Sequence, residues 1–427
     1  MDSIPEEFVT LSSITETISE GIKTGMNDVF LFTESEANDL SLEVDLMKPL
    51  LKGKDIQRYE PPLTDFLCIY PYENNEPLSE EQLRTAYPNI WAYLTENRDR
   101  LEERPSVGPS KRRWYELERQ REGKIYENPK ILVPDISDHN KFTVDTDVKN
   151  YFNTKVKSIQ LSSFLNTYTT LAVLNSSLME FIYRGIAPPK RGGFRAYKPI
   201  LLSELELPDY TVPELGEKSE ALIAYREQKN ALNLSLPDYL GNYADGPTLG
   251  ELYQPPAGVA DSILTDTTEK REKLKLEDIT VADESPKLVV RATARYKPEN
   301  PEAFETDRWE YTETEPMPAM EFVGLSDAER GLIRAFVPHA VSEGEGFAGF
   351  RKNSTPNNSL VDRLEALTLP ALADVEDGLE RYRQATERAA ELDEKIEKTD
   401  ELIDQIVYRL YGLTDEEIEI VEETVGE

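Results

Sequence analysis

Short alternating runs of apolar and polar residues dominate the start of the chain. The segments FVTLSSI, VFLF and DFLCIYPY alternate in this way, and turn-forming residues separate them. Because successive side chains of a strand point to opposite faces, the pattern predicts short antiparallel strands over residues 3–72. The stretch GIKTGMNDVF (21–30) then lies at a turn between two of these strands.

Helical spacing follows in three places. Apolar residues recur at intervals of three and four over residues 79–104, over the mostly apolar 163–186 and over 360–410. The last of these predicts a long amphipathic helix or a helical hairpin, which packs on its own chain or faces a partner. Asp400 is placed to cap a segment that ends at Gly412, and Thr414 with Glu417 forms a capping box for a final helix.

The mixture of short strands and helices predicts an α+β fold. Residues 1–215 form an antiparallel-strand-rich domain, in which KIYENPKILVPDIS (124–137) is a strand entered through Pro129. Residues 216–358 are a turn-rich connector region with a few strands, among them the isolated LVVRATARY. Residues 359–427 form a C-terminal, coiled-coil-like helical region.

Acidic residues outnumber basic ones throughout the 427-residue chain. There are 82 Asp and Glu against 48 Lys and Arg, a formal net charge of −34. Hydrophobic residues make up 39% of the chain, with 21 Tyr and 14 Phe, which is too apolar for a disordered protein. This balance favours a folded protein of a salt-loving organism, whose carboxylates keep it soluble. The single cysteine, Cys68, excludes an internal disulfide, and the lack of a leader or long apolar run indicates a cytoplasmic protein.

Motifs for catalysis are weak. The G-x-G-x-x-G match at 344–349 follows no convincing strand, and GIKTG has Lys23-Thr24 before its second glycine, the reverse of a phosphate-binding loop. His139 and His339 are the chain's histidines and do not form a zinc-ligand cluster. Asp135 with Asp147 and Lys149 fits the loose spacing of a Mg²⁺ nuclease, and it equally fits a strand-turn-strand with solvated carboxylates.

Positive charge is concentrated in two segments of this acidic chain. Between residues 148 and 203, eight basic residues oppose one acidic residue, Glu180: Lys149, Lys155, Lys157, Arg184, Lys190, Arg191, Arg195 and Lys198. A second segment, KRRWY (111–115) with the cations that follow it to Lys130, mixes basic and aromatic side chains. Such segments are often solvated faces, but in a chain selected for acidity they favour binding of a polyanion.

Eight phrases in order resemble the TaqI-like C-terminal specificity domain. This is the target-recognition part of adenine-specific DNA methyltransferases and of type IIG restriction-modification enzymes. The resemblance is to members of the halophilic archaeal type. The phrases are GIKTGMNDVF (21–30), KPLLKGKDIQRY (48–59), RRWYELERQR (112–121), NPKILVPDIS (128–137), FTVDTD (142–147), LAVLNSSLMEFIYR (171–184), FRAYKPILLSELELPD (194–209) and IDQIVYRLYGLTDEE (403–417).

The resemblance implies a DNA-binding surface. Together with the basic segments, it marks these candidate DNA-binding residues: Lys23, Thr24, Asn27, Lys54, Arg58, Arg112, Arg113, Trp114, Tyr115, Lys130, Lys190, Arg191, Arg195, Tyr197 and Lys198. It also weakens the nuclease interpretation, because PKILVPDIS is a structural strand in that family.

The resemblance also implies a partner. Family enzymes carry a methyltransferase domain with a loop for S-adenosylmethionine and an Asn/Asp-Pro-Pro-Tyr/Phe motif that holds the flipped adenine. The chain's three Pro-Pro pairs follow Glu60, Ala187 and Gln254 and do not fit this motif. We therefore expect no catalytic residues, cofactor or metal in this chain, and a separate catalytic partner that uses S-adenosylmethionine and possibly Mg²⁺. The alternatives are a DNA-binding remnant or decoy without methylation, and the Mg²⁺ nuclease.

Overall fold

The computed structural model describes residues 8–146, 150–163, 167–253, 272–342, 353, 355 and 358–426. The chain divides into two compact units. The first unit comprises Met1–Ala231 and Glu391–Glu427, and the second comprises Leu232–Ala390. These boundaries differ from those expected at residues 215 and 358, because the last part of the chain packs in the first unit.

Short strands and helical turns build the first unit. Its strands are β1 (Phe8–Thr10), β2 (Thr15–Glu20), β3 (Leu31–Thr33), β4 (Met47–Leu51), β5 (Phe66–Ile69), β6 (Tyr72–Glu73), β7 (Glu76–Pro77), β8 (Lys130–Pro134), β9 (Ile136–Ser137), β10 (Thr143–Asp145), β11 (Tyr151–Phe152), β12 (Val156–Leu161), β13 (Arg195–Ala196) and β14 (Glu206–Pro208). Its helices are α1 (Leu11–Ile14), α2 (Asn27–Phe30), α3 (Glu34–Asp39), α4 (Glu80–Ala86), α5 (Pro88–Glu96), α6 (Arg98–Glu102), α7 (Lys124–Glu127), α8 (Thr167–Asn175), α9 (Ser177–Ile186), α10 (Pro199–Leu202) and α11 (Pro213–Asn230). Short 3-10 turns lie at Val44–Leu46, Gly53–Asp55 and Arg191–Gly193.

Two four-stranded sheets organise the first unit. One has the order β10-β8-β12-β2 and is antiparallel throughout, and the other has the order β11-β4-β5-β3, with one parallel pair at β11 and β4. Each sheet has its own apolar core, one around Ile131 and Ile159 with α8 and α9, the other around Phe30 and Leu50 with α4 to α6. The α+β prediction is confirmed, and so is the strand entered through Pro129, which begins at Lys130.

The second unit has a core of its own. Its elements are α12 (Leu236–Leu240), β15 (Asp245–Thr248), α13 (Leu249–Leu252), β16 (Glu272–Glu284), β17 (Lys287–Lys297), β18 (Thr312–Glu313), β19 (Met317–Phe322), α14 (Asp327–Ser342), α15 (Leu360–Glu365) and β20 (Thr368–Pro370), with a 3-10 turn at Pro301–Ala303. Strand β17 contains the phrase LVVRATARY and pairs with β16, β18 and β19, so the expectation of an isolated strand is wrong.

A 40-residue helix, α16 (Leu372–Tyr411), follows β20 and precedes α17 (Asp415–Gly426). Of the two alternatives for this region, the single long helix is confirmed. The capping box is confirmed as well, because the Glu417 carboxylate accepts from the Thr414 backbone N–H at 2.8 Å and the Thr414 hydroxyl accepts from the Glu417 N–H at 3.4 Å. Asp400 is not a cap: it lies inside α16, and its carboxylate binds the Arg58 guanidinium.

A substitution at Gly21 can test how closely two segments of the first unit approach each other. A Cβ built on Gly21 would lie 1.9 Å from the Phe152 carbonyl oxygen, so the backbones of the two segments must separate to admit any side chain. We predict that Gly21→Ala lowers the free energy of unfolding of this unit by about 3 kcal/mol, measured by urea unfolding.

The matched control is Gly185→Ala in α9, where a Cβ would meet nothing within 4 Å. Since alanine has the higher helix propensity, this variant is expected to be neutral or stabilised by up to about 1 kcal/mol. Equal unfolding midpoints for the two variants would contradict the close approach at Gly21.

Candidate nucleic-acid interface

Backbone hydrogen bonds bring distant segments of the first unit together. The Tyr197 N–H donates to the Asp135 carbonyl at 2.9 Å, and the Asp135 N–H donates to the Lys155 carbonyl at 2.7 Å. The neighbouring Thr154 N–H donates to the Ile22 carbonyl at 3.1 Å. The next residue, Lys23, exchanges two bonds of 2.9 Å with Arg119. We call this set of segments the junction: residues 21–25, 52–55, 117–121, 135–137, 153–157 and 190–198.

The segment GIKTG (21–25) is a structural part of the junction. Gly21 allows the close approach to Phe152, and Gly25 adopts a left-handed backbone (φ +79°), which glycine accepts without strain. The buried Thr24 hydroxyl donates to the Asn27 side-chain oxygen at 2.5 Å, next to the start of α2. Thr24 is therefore corrected from a DNA contact to a local support, while Asn27 and Lys23 remain at the surface.

Arg104 holds the GIKTG segment in place, and it was not among the candidate residues selected from the sequence. Its side chain is 5% exposed, and its guanidinium donates to four carbonyl oxygens: Leu101 (3.0 Å), Thr24 (2.9 Å), Trp114 (2.6 Å) and Glu116 (2.9 Å). Burial lowers its pKa from the usual value for arginine. Its neighbours Arg98 and Arg100 are solvent-exposed, so the local pattern did not distinguish it.

An ion-pair network neutralises much of the charge near GIKTG. Glu20 accepts from Lys157 at 2.9 Å and lies 3.4 Å from Arg119 and 3.7 Å from Arg121. The hydrogen bond from Lys157 and the attraction of these cations hold the pKa of Glu20 below its usual range. Lys157 also lies 3.0 Å from Asp135.

Lys23 is also paired, at 2.5 Å from Glu118. The cations of this part of the junction are therefore engaged with carboxylates of the same chain.

The loop between α9 and α10 carries cations of a different kind. Lys190, Arg191 and Lys198 are exposed, and within the described part of the chain none of them has a carboxylate partner. Residues 187–203 contain no acidic residue. The half-buried Arg195 donates to the Gly193 carbonyl at 2.9 Å. This loop therefore presents uncompensated positive charge on a protein whose net charge is −34.

Lys54 adds a further exposed cation to the junction. It lies in the 3-10 turn Gly53–Asp55, where a Cβ on Gly53 would be 3.0 Å from the Lys155 carbonyl. Lys52 and Lys54 flank the Phe66 ring, with the ammonium nitrogens 2.9 Å and 5.7 Å from its centroid. The turn thus lies close to the Lys155 carbonyl, which also accepts from the Asp135 N–H.

Four other sequence candidates are buried and are corrected to structural roles. Trp114 and Tyr115 pack with Trp91 at ring distances of 5.3 and 5.9 Å. Tyr197 stacks on Tyr183 at 4.6 Å, and its hydroxyl donates to the Asn140 side chain. Lys130 is enclosed and pairs with Asp145 at 2.8 Å. These side chains face the interior, so a nucleic acid does not reach them in this conformation.

Three arginine candidates already have partners. Arg58 binds Asp400 and donates to the Asn175 carbonyl at 2.7 Å, and the attraction of Asp400 raises its pKa although burial opposes this. Arg112 and Arg113 lie 3.4 and 3.9 Å from Glu116. A ligand phosphate at these positions would compete with a carboxylate of the chain.

The residues of the enzyme hypotheses lie partly outside the described part of the chain. Asp147, Lys149 and the G-x-G-x-x-G segment lie outside the residues that the structure describes, and Asp135 is paired with Lys157. Within the described ranges, no three His, Cys, Asp or Glu side chains are grouped as metal ligands. No helix there is long and apolar enough to cross a membrane.

A family model matches most of the junction. Residues 48–207 match the model of the TaqI-like C-terminal specificity domain. The match covers less than half of the chain. This segment includes most of β4, the β8–β9 connection, and the exposed loop between α9 and α10.

Two curated methyltransferases are similar to parts of the chain. Type II methyltransferase M.BanIII of Aneurinibacillus aneurinilyticus is 32% identical over 126 residues, 29% of this chain and 22% of that protein. Type II methyltransferase M.MjaIV of Methanocaldococcus jannaschii is 27% identical over 213 residues, 48% of this chain and 69% of that protein. The chain thus aligns with about a fifth of the first relative and about two thirds of the second.

Solved structures show weaker similarity. The type I restriction-modification S subunit from M. genitalium aligns with 96% of this chain and 97% of its own, at 9% identity and a TM-score of 0.43. The type IIG restriction endonuclease BpuSI aligns with 51% of this chain and 28% of its own, at 13% identity and a TM-score of 0.35.

The Glu20 network is expected to make the stability of the first unit depend on pH. Because the folded-state pKa of Glu20 lies below the usual value for glutamate, its ionised form stabilises the fold at neutral pH. That stabilisation is lost as the pH falls below the usual pKa of glutamate and through the lower folded-state pKa. We predict that Glu20→Gln is less stable than wild type at pH 7 and that the difference shrinks through this acidic range, measured by urea unfolding at each pH.

Lys157→Gln supplies the control. In that background the cost of Glu20→Gln at neutral pH should fall, because the hydrogen bond that most lowers the pKa is already absent. A stability difference that stays constant from pH 7 into the acidic range would show that Glu20 does not act through its charge.

Proposed function

We propose that this chain recognises a DNA sequence for a restriction-modification system and directs a separate catalytic partner to it. The specificity domain supports the recognition role. The observation that carries the proposal is the loop between α9 and α10, whose exposed Lys190, Arg191 and Lys198 have no carboxylate partner among the described residues. Duplex DNA supplies the phosphates that such cations bind, and their release of counterions favours binding.

The charge of the protein strengthens this argument. A chain at −34 repels DNA over most of its surface, so productive contact requires a local positive region. The loop provides that region, and the exposed Lys54 adds a further cation in the junction. The acidic surroundings then orient the duplex, since other approaches are repelled. Phosphate contacts fix the register of the protein on DNA, and base-edge contacts in the major groove select the sequence.

The proposed partner is an adenine-specific DNA methyltransferase subunit or domain, with or without a restriction nuclease. The similar proteins M.BanIII and M.MjaIV are type II methyltransferases, which supports a methyltransferase partner. In this proposal the partner binds S-adenosylmethionine, and Mg²⁺ where a nuclease is present, and it flips the target base. The present chain contributes DNA binding and docking, and no catalytic residue.

Two finer assignments belong to the same proposal. The acidic composition supports a halophilic, archaeal source, and the phrases of the specificity domain support a relationship to the type IIG enzymes. In a salty cytoplasm phosphate contacts are weakened, so base-edge and shape readout would supply more of the affinity.

A DNA-binding remnant or decoy is the second candidate. It would use the same exposed loop and would bind the same DNA, but no methylated site would depend on it. The two candidates therefore make the same prediction for binding and opposite predictions for methylation in the host.

The loop cations provide the direct test of DNA binding. We predict that the triple variant Lys190→Gln, Arg191→Gln, Lys198→Gln weakens binding of duplex DNA at least about tenfold at low salt. If each cation neutralises one phosphate, the slope of log affinity against log salt should fall in magnitude by about 2.7. Fluorescence anisotropy with a labelled duplex at several salt concentrations measures both quantities.

A second triple variant removes the same charge elsewhere in the first unit. Lys395, Lys398 and Arg409 are exposed on α16, away from the junction in sequence, and their replacement by Gln should leave the salt slope nearly unchanged. If the two triple variants lose affinity equally, net charge rather than the loop governs binding, and the proposed interface is wrong.

A further inference from the structure

The exposed loop also carries an apolar face, which phosphate binding does not explain. Strand β13 pairs with β9 as a two-stranded antiparallel ribbon, with Arg195 opposite Ser137 and Ala196 opposite Ile136. Phe194 precedes β13 with an extended backbone (φ −61°, ψ 152°). Because side chains alternate along an extended strand, Phe194, Ala196 and Ile136 share one face of the ribbon, and Arg195 belongs to the other.

This face is open to solvent. Phe194 is 40% exposed and Ile136 is 39% exposed, although both are large apolar side chains. Two glycines with left-handed backbones, Gly192 (φ +77°) and Gly193 (φ +79°), precede Phe194, and the phenyl ring lies against the position that a Cβ of Gly192 would occupy, at 3.5 Å. The turn thus presents the ring at the tip of the ribbon.

Charge identifies what covers this face. Lys190 and Arg191 precede Phe194, Lys198 follows it, and the segment 187–203 has no acidic residue. The two carboxylates that flank β9 are ion-paired, Asp135 with Lys157 at 3.0 Å and Asp138 with Lys141 at 3.1 Å. An apolar face of a protein partner is normally bordered by unpaired charges of both signs, whereas a border whose unpaired charges are positive fits a polyanion. The major groove admits a two-stranded ribbon, with cations at the ribbon's edges within reach of the phosphates.

We infer that Phe194, supported by Ile136, contacts the C5-methyl group of a thymine in the recognised sequence. This inference rests on the proposed DNA recognition and adds a base-selecting contact to it. Among the base edges of the major groove, the thymine methyl is the apolar group, and phenylalanine is one of the side chains that pack on it. The contact selects T·A over C·G without a hydrogen bond.

The test replaces thymine by deoxyuridine, which removes only that methyl group. The full chain first selects its sequence from random duplexes, and each thymine of the selected site is then replaced in turn. For the wild-type protein we expect one position at which deoxyuridine in place of thymidine weakens binding about fourfold. This factor corresponds to the burial of one methyl group. For Phe194→Ala the two duplexes should bind equally, and for Ile136→Ala the ratio should be reduced.

Lys198→Gln is the matched control within the same loop. Loss of a phosphate contact should weaken binding to both duplexes equally and leave the fourfold ratio intact. A wild-type protein that selects a sequence without any uridine-sensitive position overturns the Phe194 contact, as does a ratio that survives in Phe194→Ala. A wild-type protein that selects no sequence overturns the proposed function itself, so the two failures are distinguishable.

Discussion

The buried guanidinium of Arg104 is the interaction on which the candidate interface depends. It donates to backbone carbonyls of three segments, at Leu101, at Thr24 and at Trp114 with Glu116. A cation removed from water is tolerated only when its donors are satisfied, and these four carbonyls accept from the guanidinium. The position of GIKTG against residues 117–119 follows from these bonds. Through Ile22 and Lys23 it is joined to the 153–155 segment and to the rest of the junction.

The interface also depends on how the chain distributes its charge. Near GIKTG each cation is offset by Glu20, Glu118 or Asp135, and such pairs stabilise the fold but offer little attraction to phosphate. The loop between α9 and α10 contains no carboxylate of its own, and its backbone is tied to β9 through two register pairs and the bond from Tyr197 to Asp135. The segment thus combines a backbone held by hydrogen bonds to β9 with exposed cations that have no carboxylate partner among the described residues. That combination is suited to a ligand whose charges are regularly spaced.

The local pattern of the sequence predicted most of the regular elements and fewer of the site residues. Helix α16 and the Thr414–Glu417 capping box were predicted because both depend on residues a few positions apart. Trp114 and Tyr115 were assigned to DNA because they stand beside Arg112 and Arg113, yet burial against Trp91 is decided by a segment far away in the sequence. Asp400 was misassigned for the same reason, since its partner Arg58 is 342 positions away. Lys190, Arg191 and Lys198 were selected because the absence of acidic neighbours is visible in the sequence itself. They are exposed, and their contact with DNA stays a prediction.

If the proposed function holds, this chain sets the DNA sequence at which its host methylates adenine. Single-molecule sequencing of the host genome measures it directly, with the gene deleted and then restored as wild type, as the loop triple variant or as the α16 triple variant. We expect one methylated adenine motif to disappear on deletion, to return with the wild-type and α16 variants, and to stay absent with the loop variant. An unchanged methylome after deletion would contradict the claim and favour the remnant or decoy.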